Sequence, residues 1–176
     1  MIRSARDDDL PELQDVERAA GAPFRELGMG EVADDAPPTL AVLAAFAQDG
    51  RAWVSTDHAD KPVAYLLVDV VDGDAHIEQV SVHPNCAHRR IGESLVDVAA
   101  AWAQQHGMAA LTLTTYADVP WNGPYYQRLG FRVVPVDELG ADLRAVRRAE
   151  TARGLDRWPR VVMRRSLAPD GLPSSA

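Results

Sequence analysis

Apolar positions in the first half of the chain are spaced as in a small α/β protein. Leu10, Leu13 and Val16 recur at the spacing of one helix face, and short β-branched runs follow further along. In chain order we predict a strand at residues 2–5, a helix that ends at Gly21, an irregular segment at 22–38, a helix capped by Thr39 that ends at Gly50, and strands at 52–56, 62–70 and 75–83. The dipeptide Asp72-Gly73 favours a tight hairpin, so the three strands are expected to form an antiparallel meander.

The second half of the chain alternates helices and strands. Ile91, Leu95, Val98 and Trp102 lie on one side of a predicted helix that stops at Gly107. After it we predict strands at 111–115, 131–135 and 160–167, a short helix at 120–129, and an amphipathic helix at 139–152 with Leu143 and Val146 facing inward. This order indicates a mixed α/β layer with an antiparallel first half and a crossover helix in the second.

The third strand of the meander has an interrupted alternation. Ile77 is apolar at an odd position, whereas Val80 and Val82 are apolar at even positions. A regular strand cannot place all three on one face. Either a bulge near Glu78 or Gln79 shifts the phase, or both faces of the strand are buried.

Length and charge narrow the class of function. The 176 residues suit one globular domain, predicted at 1–168 with a flexible tail at 169–176. With 18 Lys and Arg against 26 Asp and Glu, the net charge is −8, which disfavours nucleic acid and anionic membranes as partners. The acidic run at residues 7–9 is predicted to be a capped, solvated helix start, and it stands where a secretory leader would need apolar residues.

The remaining compositional signals favour a cytoplasmic protein. The longest apolar run, residues 98–103, is far shorter than the ~20 residues of a membrane span. Cys86 is the single cysteine, so an internal disulfide cannot form, and no paired-cysteine motif suggests zinc. We therefore expect a reducing cytoplasmic location, with neither a membrane nor a metal as partner.

The segment at residues 82–95 carries the strongest chemical signal. It reads VHPNCAHRRIGESL, a strand end and a loop with two adjacent arginines, and Gly92 lies in the first turn of the helix that follows. The first amides of a helix and its positive dipole end attract an anion, and Arg89 or Arg90 adds charged donors for a phosphate. The nucleotide-binding pattern GxxxxGK[ST] and the dinucleotide-binding pattern GxGxxG do not occur in this turn, so these two phosphate-binding motifs are set aside.

The segment resembles the acyl-CoA pyrophosphate loop of the GNAT superfamily of N-acetyltransferases, whose pattern is Q/R-x-x-G-x-G/A. Gly92 takes the second glycine position, while Ala87 and Arg90 stand in place of the Q/R and the first glycine. Residues 117–131, ADVPWNGPYYQRLGF, resemble the superfamily's second conserved block. The order of predicted elements is also similar, so the resemblance covers most of the chain.

The resemblance implies a fold and a cosubstrate. The implied fold is α/β, with a mixed, mostly antiparallel central sheet of about seven strands flanked by helices and splayed between the fourth and fifth strands. Acetyl-CoA is the implied acyl donor, and its pantetheine arm is implied to lie in the notch between the two splayed strands. The residues implied to bind it are Val80, Ser81, Val82, Ala87, His88, Arg89, Arg90, Ile91, Gly92, Glu93 and Asn122. For Asn122, capping of the short helix is the alternative.

The resemblance also implies catalytic groups. It assigns the general acid, which protonates the leaving thiolate, to Tyr126, with the adjacent Tyr125 as the alternative. Glu78 is the candidate general base. His76 two residues earlier and deprotonation by bulk water are the alternatives.

The implied function is transfer of an acetyl group from acetyl-CoA to a primary amine of a small molecule by direct attack. The acidic balance of the loop at 20–38 favours a cationic amine. Two alternatives stand beside it: a non-catalytic acyl-CoA-binding sensor or partner-docking module, and a protein or peptide N-acetyltransferase. The sequence leaves a homodimer open.

Overall fold

The computed structural model describes residues 1–167, which contain seven strands. They are β1 (Ile2–Ser4), β2 (Ala52–Thr56), β3 (Pro62–Val71), β4 (Asp74–Val82), β5 (Ala110–Tyr116), β6 (Arg132–Val134) and β7 (Arg160–Ser166). Each lies within one residue of its predicted bounds. The predicted tail at 169–176, and Ala168 at the end of the predicted domain, lie outside the described residues.

Six α-helices connect these strands within residues 1–167. They are α1 (Leu10–Gly21), α2 (Gly30–Ala33), α3 (Leu40–Gln48), α4 (Ile91–Gln105), α5 (Gly123–Arg128) and α6 (Ala141–Ala152). The predicted cap of α3 is confirmed, because the Thr39 hydroxyl accepts a hydrogen bond from the Val42 amide. The short helix α5 starts three residues later than predicted, because a turn closed by the Asn122 amide on the Val119 carbonyl at 2.8 Å precedes it.

The strands form one mixed sheet in the order β1-β2-β3-β4-β5-β7-β6. The pairs β1–β2, β2–β3, β5–β7 and β6–β7 are antiparallel. β4 and β5 are parallel, with Ala75 opposite Leu111 and His76 opposite Thr112. In the described chain this register ends at His76, although both strands continue beyond it. The predicted mostly antiparallel sheet, splayed between its fourth and fifth strands, is confirmed.

The hairpin between β3 and β4 turns at the predicted dipeptide. Asp72 and Gly73 have φ angles of 51° and 79°. Two consecutive positive φ values are the geometry of a type I′ turn, whose twist matches that of the flanking strands. The local sequence therefore determines the geometry of this turn.

The described chain forms two compact units, and each has its own core. The first comprises residues 1–68 and 79–97, and the second comprises residues 69–78 and the described residues from 98 onward. The first core lies between α1, α3 and the strands β2 and β3, and its buried residues are Leu10, Leu13, Val16, Leu43, Ala52, Val54, Tyr65 and Leu67. A single domain at 1–168 stays a prediction.

In the second unit, one apolar cluster packs α6 against strands. Val71, Leu139, Leu143 and Val162 are buried there, and Val146 packs against them. The predicted inward orientation of Leu143 and Val146 on this helix is confirmed.

Strand β4 is covered on both faces over part of its length. The side chains of Ala75, His76 and Ile77 are all buried, although neighbouring residues of a strand point to opposite faces. Burial of both faces, one of the two predicted explanations for the interrupted alternation, therefore applies at this end of the strand. The bulge near Glu78 or Gln79 stays a prediction.

The acidic run before α1 differs from its prediction at one residue. Asp7 and Asp8 are exposed, but Asp9 is only 7% exposed. Its carboxylate accepts two hydrogen bonds from the Arg3 guanidinium, at 2.6 and 2.9 Å, and one from the Arg6 amide. These bonds hold the pKa of Asp9 below its usual value against the opposing effect of burial. The prediction of a solvated run was wrong for Asp9, because β1 brings a cation to it.

No helix within residues 1–167 combines the length and the apolarity needed to cross a lipid bilayer.

Candidate active site

The loop between β4 and α4 presents exposed residues with an unusual backbone. A 3₁₀ turn at Pro84–Cys86 follows the strand, and residues 87–90 are all exposed. His88 and Arg90 have φ angles of 62° and 59°, a region that residues with a Cβ atom rarely adopt. The helix α4 begins directly after Arg90. The loop therefore leads with a tight, accessible turn into the amide end of a 15-residue helix.

Arg90 has the backbone conformation that a glycine adopts readily. It stands where the pyrophosphate-loop pattern has its first glycine, and it holds the left-handed φ that glycine reaches at no steric cost. The Arg90 side chain is 80% exposed and forms a two-point ion pair with Glu93, with nitrogen–oxygen distances of 2.7 and 2.8 Å. Arg90 therefore has a backbone conformation that usually favours glycine, although it carries a Cβ atom.

The end of β4 lies in the same unit as the loop. Ser81 is buried, whereas Val80 and Val82 are half-buried. The first unit therefore holds every residue predicted to bind the cofactor except Asn122.

A carboxylate that the sequence analysis missed contacts the end of β4. Glu17, on α1, accepts hydrogen bonds from the Tyr65 hydroxyl at 2.7 Å, the Gln79 side-chain amide at 2.9 Å and the Ser81 hydroxyl. The Gln79 amide also donates to the Ser81 hydroxyl at 2.9 Å. We call these four residues the Glu17 cluster. Glu17 and Ser81 are 64 positions apart in the chain, so no local signal predicts their contact.

In the second unit, Tyr126 lies on α5 and is 8% exposed. Its ring packs edge-on against Phe131, with ring centres 5.6 Å apart, and against Tyr125 at 5.3 Å. Burial raises the pKa of Tyr126 above its usual value, and Tyr125 adds to the rise. The phenol therefore keeps its proton at neutral pH, which is the state that a general acid needs.

The position of α5 depends on a close approach at its first residue. A Cβ atom at Gly123 would lie 2.4 Å from the Ala117 carbonyl oxygen, so only glycine fits there. Asn122, just before it, makes no side-chain hydrogen bond that caps the helix, while its carbonyl accepts from the Tyr126 amide at 3.0 Å. The capping alternative for Asn122 was therefore wrong, because its backbone does not have the extended conformation typical of a capping residue and its side chain makes no capping hydrogen bond.

The two candidate bases differ in their surroundings. His76 is 2% exposed, and its Nδ1 lies 2.9 Å from the Thr112 hydroxyl. Burial lowers the pKa of His76 to about 4, so the ring is neutral at pH 7. Glu78 reaches the surface, yet the protein around it desolvates the carboxylate and raises its pKa, and the charges of Asp69 and Glu150 add to the rise. A raised pKa moves Glu78 toward the range that suits a general base.

The cysteine of the loop and the possibility of a metal site also concern the chemistry of this region. Cys86 is a half-buried free thiol at the end of the 3₁₀ turn. Among residues 1–167, no group of three or more His, Cys, Asp or Glu side chains is arranged to hold a metal ion.

Most of the chain matches the model of one known protein family. Residues 13–131, more than half of the chain, match the acetyltransferase (GNAT) family model. The chain belongs to the acetyltransferase (GNAT) family. The resemblance predicted from the sequence is confirmed, and the matched range contains the loop at 87–92 and Tyr126.

Solved GNAT structures share the fold over nearly the whole chain. The ribosomal-protein-S18-alanine N-acetyltransferase from Escherichia coli is 18% identical, with a TM-score of 0.65 and coverage of 98% of both chains. PaiA N-acetyltransferase from Thermoplasma acidophilum, in complex with coenzyme A, is 13% identical, with a TM-score of 0.67 and coverage of 94% of this chain and 98% of that chain. Rv2747 from Mycobacterium tuberculosis, in complex with CoA and NLQ, is 18% identical, with a TM-score of 0.68 and coverage of 96% and 99%.

Proposed function

We propose that this GNAT protein is an N-acetyltransferase that moves the acetyl group of acetyl-CoA to a primary amine of a small molecule. The observation that supports the proposal is the exposed loop before α4, where Arg90 stands at the position of a pattern glycine and has a left-handed backbone, which glycine adopts readily. This turn leads into the amide end of α4, where an anion is stabilised.

The exposed loop fits the diphosphate of acetyl-CoA. The first amides of α4, at Ile91, Gly92 and Glu93, supply donors and a positive dipole end. Arg89 and His88, both exposed, add side-chain donors. In our proposal the main chain of residues 80–82 binds the pantetheine arm, and Asn122 contacts the cofactor.

The proposed reaction is a direct attack. The amine nitrogen forms a bond to the thioester carbonyl carbon, and an amide N–H of β4 near Val80 stabilises the oxyanion. The carbon–sulfur bond then breaks, and the thiolate takes the phenol proton of Tyr126. Glu78, directly or through a water, takes the proton that the amine loses. Solvent restores the proton of Tyr126, so the products are an amide and free CoA.

The test of this function is thiol release from acetyl-CoA with a panel of polyamines, aminoglycosides and amino acids. We expect turnover with at least one amine. We also expect Tyr126→Phe to lower kcat by about tenfold or more while acetyl-CoA still binds. Tyr125→Phe is the matched control, because it removes the neighbouring hydroxyl and should leave kcat near the wild-type value.

The same assay separates the alternatives. Tight acetyl-CoA binding without turnover of any amine would favour the sensor or docking module. Turnover of a peptide amino terminus in preference to every small amine would favour a protein N-acetyltransferase, the activity named for the Escherichia coli structure. A cytoplasmic location and a homodimer remain predictions.

A further inference from the structure

Glu17 differs from the other withdrawn carboxylates of the chain in its partners. Asp9 is paired with Arg3, and Glu150 is paired with Arg147 and Arg160. Within residues 1–167, the partners of Glu17 are two hydroxyls and one side-chain amide, and none of them carries a charge. The Tyr65 hydroxyl is fully buried, and burial together with the Glu17 charge raises the pKa of Tyr65, so this partner stays neutral.

A carboxylate in this setting favours a cation from outside the chain. Glu17 is half-buried, and a charge withdrawn from water is costly unless it is paired with an opposite charge. Neutral donors hold the carboxylate in place but leave its net charge uncompensated. A cation that binds there therefore gains more than it would at an exposed acid such as Asp15, which already pairs with Arg18.

One oxygen of the Glu17 carboxylate retains capacity for a further bond. Its Oε2 atom accepts from Tyr65, Ser81 and Gln79, whereas in the described chain its Oε1 atom accepts only from Gln79. A carboxylate oxygen has room for about two hydrogen bonds. The Oε1 atom can therefore accept an ammonium N–H without displacing a partner.

The Glu17 cluster contacts the end of β4. Gln79 and Ser81 flank Val80 along β4, and alternate residues of a strand point to the same face. The carboxylate is therefore held against the strand segment whose main chain, in the proposed function, binds the pantetheine arm. A cation at Glu17 stands beside that segment.

We propose that Glu17 binds the positively charged group of the acceptor, so that the substrate class of this protein is a small amine with a second cationic group. This inference rests on the proposed function for the identity of the reaction. Tyr65, Gln79 and Ser81 are positioning residues that orient the carboxylate. The proposal agrees with the cationic acceptor that the acidic loop at 20–38 favours, but it depends on different residues.

The test compares two amines that differ in one charge. Diaminobutane and aminobutanol are assayed as acceptors at saturating acetyl-CoA, and kcat/KM is measured for each. We expect wild type to prefer diaminobutane by about tenfold or more, because a hydrogen bond between two charged groups is stronger than one from a neutral hydroxyl. Glu17→Gln should abolish this preference and leave the KM for acetyl-CoA unchanged.

Three variants separate charge recognition from structural support. Asp15→Asn removes one exposed charge from the same helix and should keep the preference. Glu17→Asp keeps the charge and should retain part of it. Tyr65→Phe removes one of the bonds that orient the carboxylate, so it should weaken the preference in part and leave the KM for acetyl-CoA unchanged. Equal kcat/KM for the two amines in wild type, or an unchanged preference in Glu17→Gln, would overturn the proposal.

A binding experiment distinguishes failure of this inference from failure of the proposed function. If no amine is acetylated, titration calorimetry of diaminobutane into the CoA-loaded protein still tests Glu17. Binding that is lost in Glu17→Gln and kept in Asp15→Asn supports the inference, even though the transferase activity has failed. Absence of binding to wild type in that experiment overturns it.

Discussion

Single residues in the loop between β4 and α4 and at the candidate base have properties that the sequence only partly indicates. The sequence shows that Arg90 replaces a pattern glycine, but the left-handed backbone at Arg90 is a structural observation. The sequence likewise names Glu78, while the desolvation that raises its pKa depends on the surrounding fold. Each of these two residues can be tested by a single substitution.

Arg90→Gly is expected to stabilise the free protein. Glycine adopts the φ of 59° without strain, although part of this gain is offset by its greater freedom in the unfolded chain. We expect the melting temperature to rise by about 1–3 °C, measured by circular dichroism. Arg90→Ala is the control, because alanine keeps the Cβ atom and should give no rise. A lower melting temperature for Arg90→Gly than for Arg90→Ala would contradict the strain argument.

The pH dependence of turnover tests Glu78. A general base acts when deprotonated, so a raised pKa places the acidic limb of kcat/KM above the usual glutamate range, and activity rises with pH through that limb. Glu78→Gln should lower kcat/KM and remove the limb. Asp69→Asn takes away a neighbouring negative charge and should move the limb to lower pH. A limb unchanged in Glu78→Gln shows that another group titrates.

Among the elements, α6 is tied to the second unit at both ends. At its start, the Asp72 carboxylate accepts from the Asp142 and Leu143 amides at 3.0 and 2.9 Å. Near its end, Glu150 bonds to Arg160 on β7 and to the hydroxyl of Thr114 on β5. The hairpin residue Asp72 thus caps a helix that follows it by about 70 positions. These contacts explain why a strongly charged helix is stably packed.

Glu150→Gln is expected to destabilise the protein by roughly 3 kcal/mol, because it leaves the buried Arg160 without its opposite charge. Burial alone raises the pKa of Glu150, but bonds from Thr114, Arg160 and Arg147 outweigh it, so the net pKa is lowered. The stabilisation is therefore complete above the unfolded pKa of about 4.3 and is lost as pH falls through the lower folded value.

The measurement for Glu150 is urea denaturation of wild type and Glu150→Gln between pH 3 and 7. The difference in the free energy of unfolding should be constant above about pH 5 and should shrink toward pH 3. Glu138→Gln, at an exposed residue just before α6, is the control and should change little at any pH. A difference that grows as the pH falls would contradict the assigned sign.

At the scale of the whole molecule, the net charge of the protein and the charge of the proposed ligand are both negative. The net charge of −8 repels an anionic diphosphate at long range. In the proposed function, binding of acetyl-CoA therefore relies on short-range donors of the exposed loop at 87–90. A ligand that binds only the folded protein also stabilises the fold, so binding of acetyl-CoA can be measured as a change in thermal stability.

Acetyl-CoA is expected to raise the melting temperature of the whole protein. A ligand at about 100 times its Kd stabilises the folded state by about 2.7 kcal/mol, which corresponds to roughly 5–10 °C for a chain of this size. Differential scanning fluorimetry measures the shift. ADP, which has the diphosphate without pantetheine, should give a smaller shift. Equal shifts with both ligands would exclude a role for residues 80–82 in holding pantetheine.

The amino-acid sequence by itself determined the order and bounds of the strands, the Asp72-Gly73 hairpin, the cap at Thr39 and the loop between β4 and α4. These features depend on neighbouring residues, through the period of apolar positions, the turn chemistry of Gly and Asp, and short motifs. Only the tertiary structure decided that Glu17 contacts Tyr65 and Ser81, that His76 is buried against Thr112, and that Asp9 meets Arg3. These contacts join elements through side-chain packing, and a periodic pattern records which face of an element is buried but not which residue it will meet there.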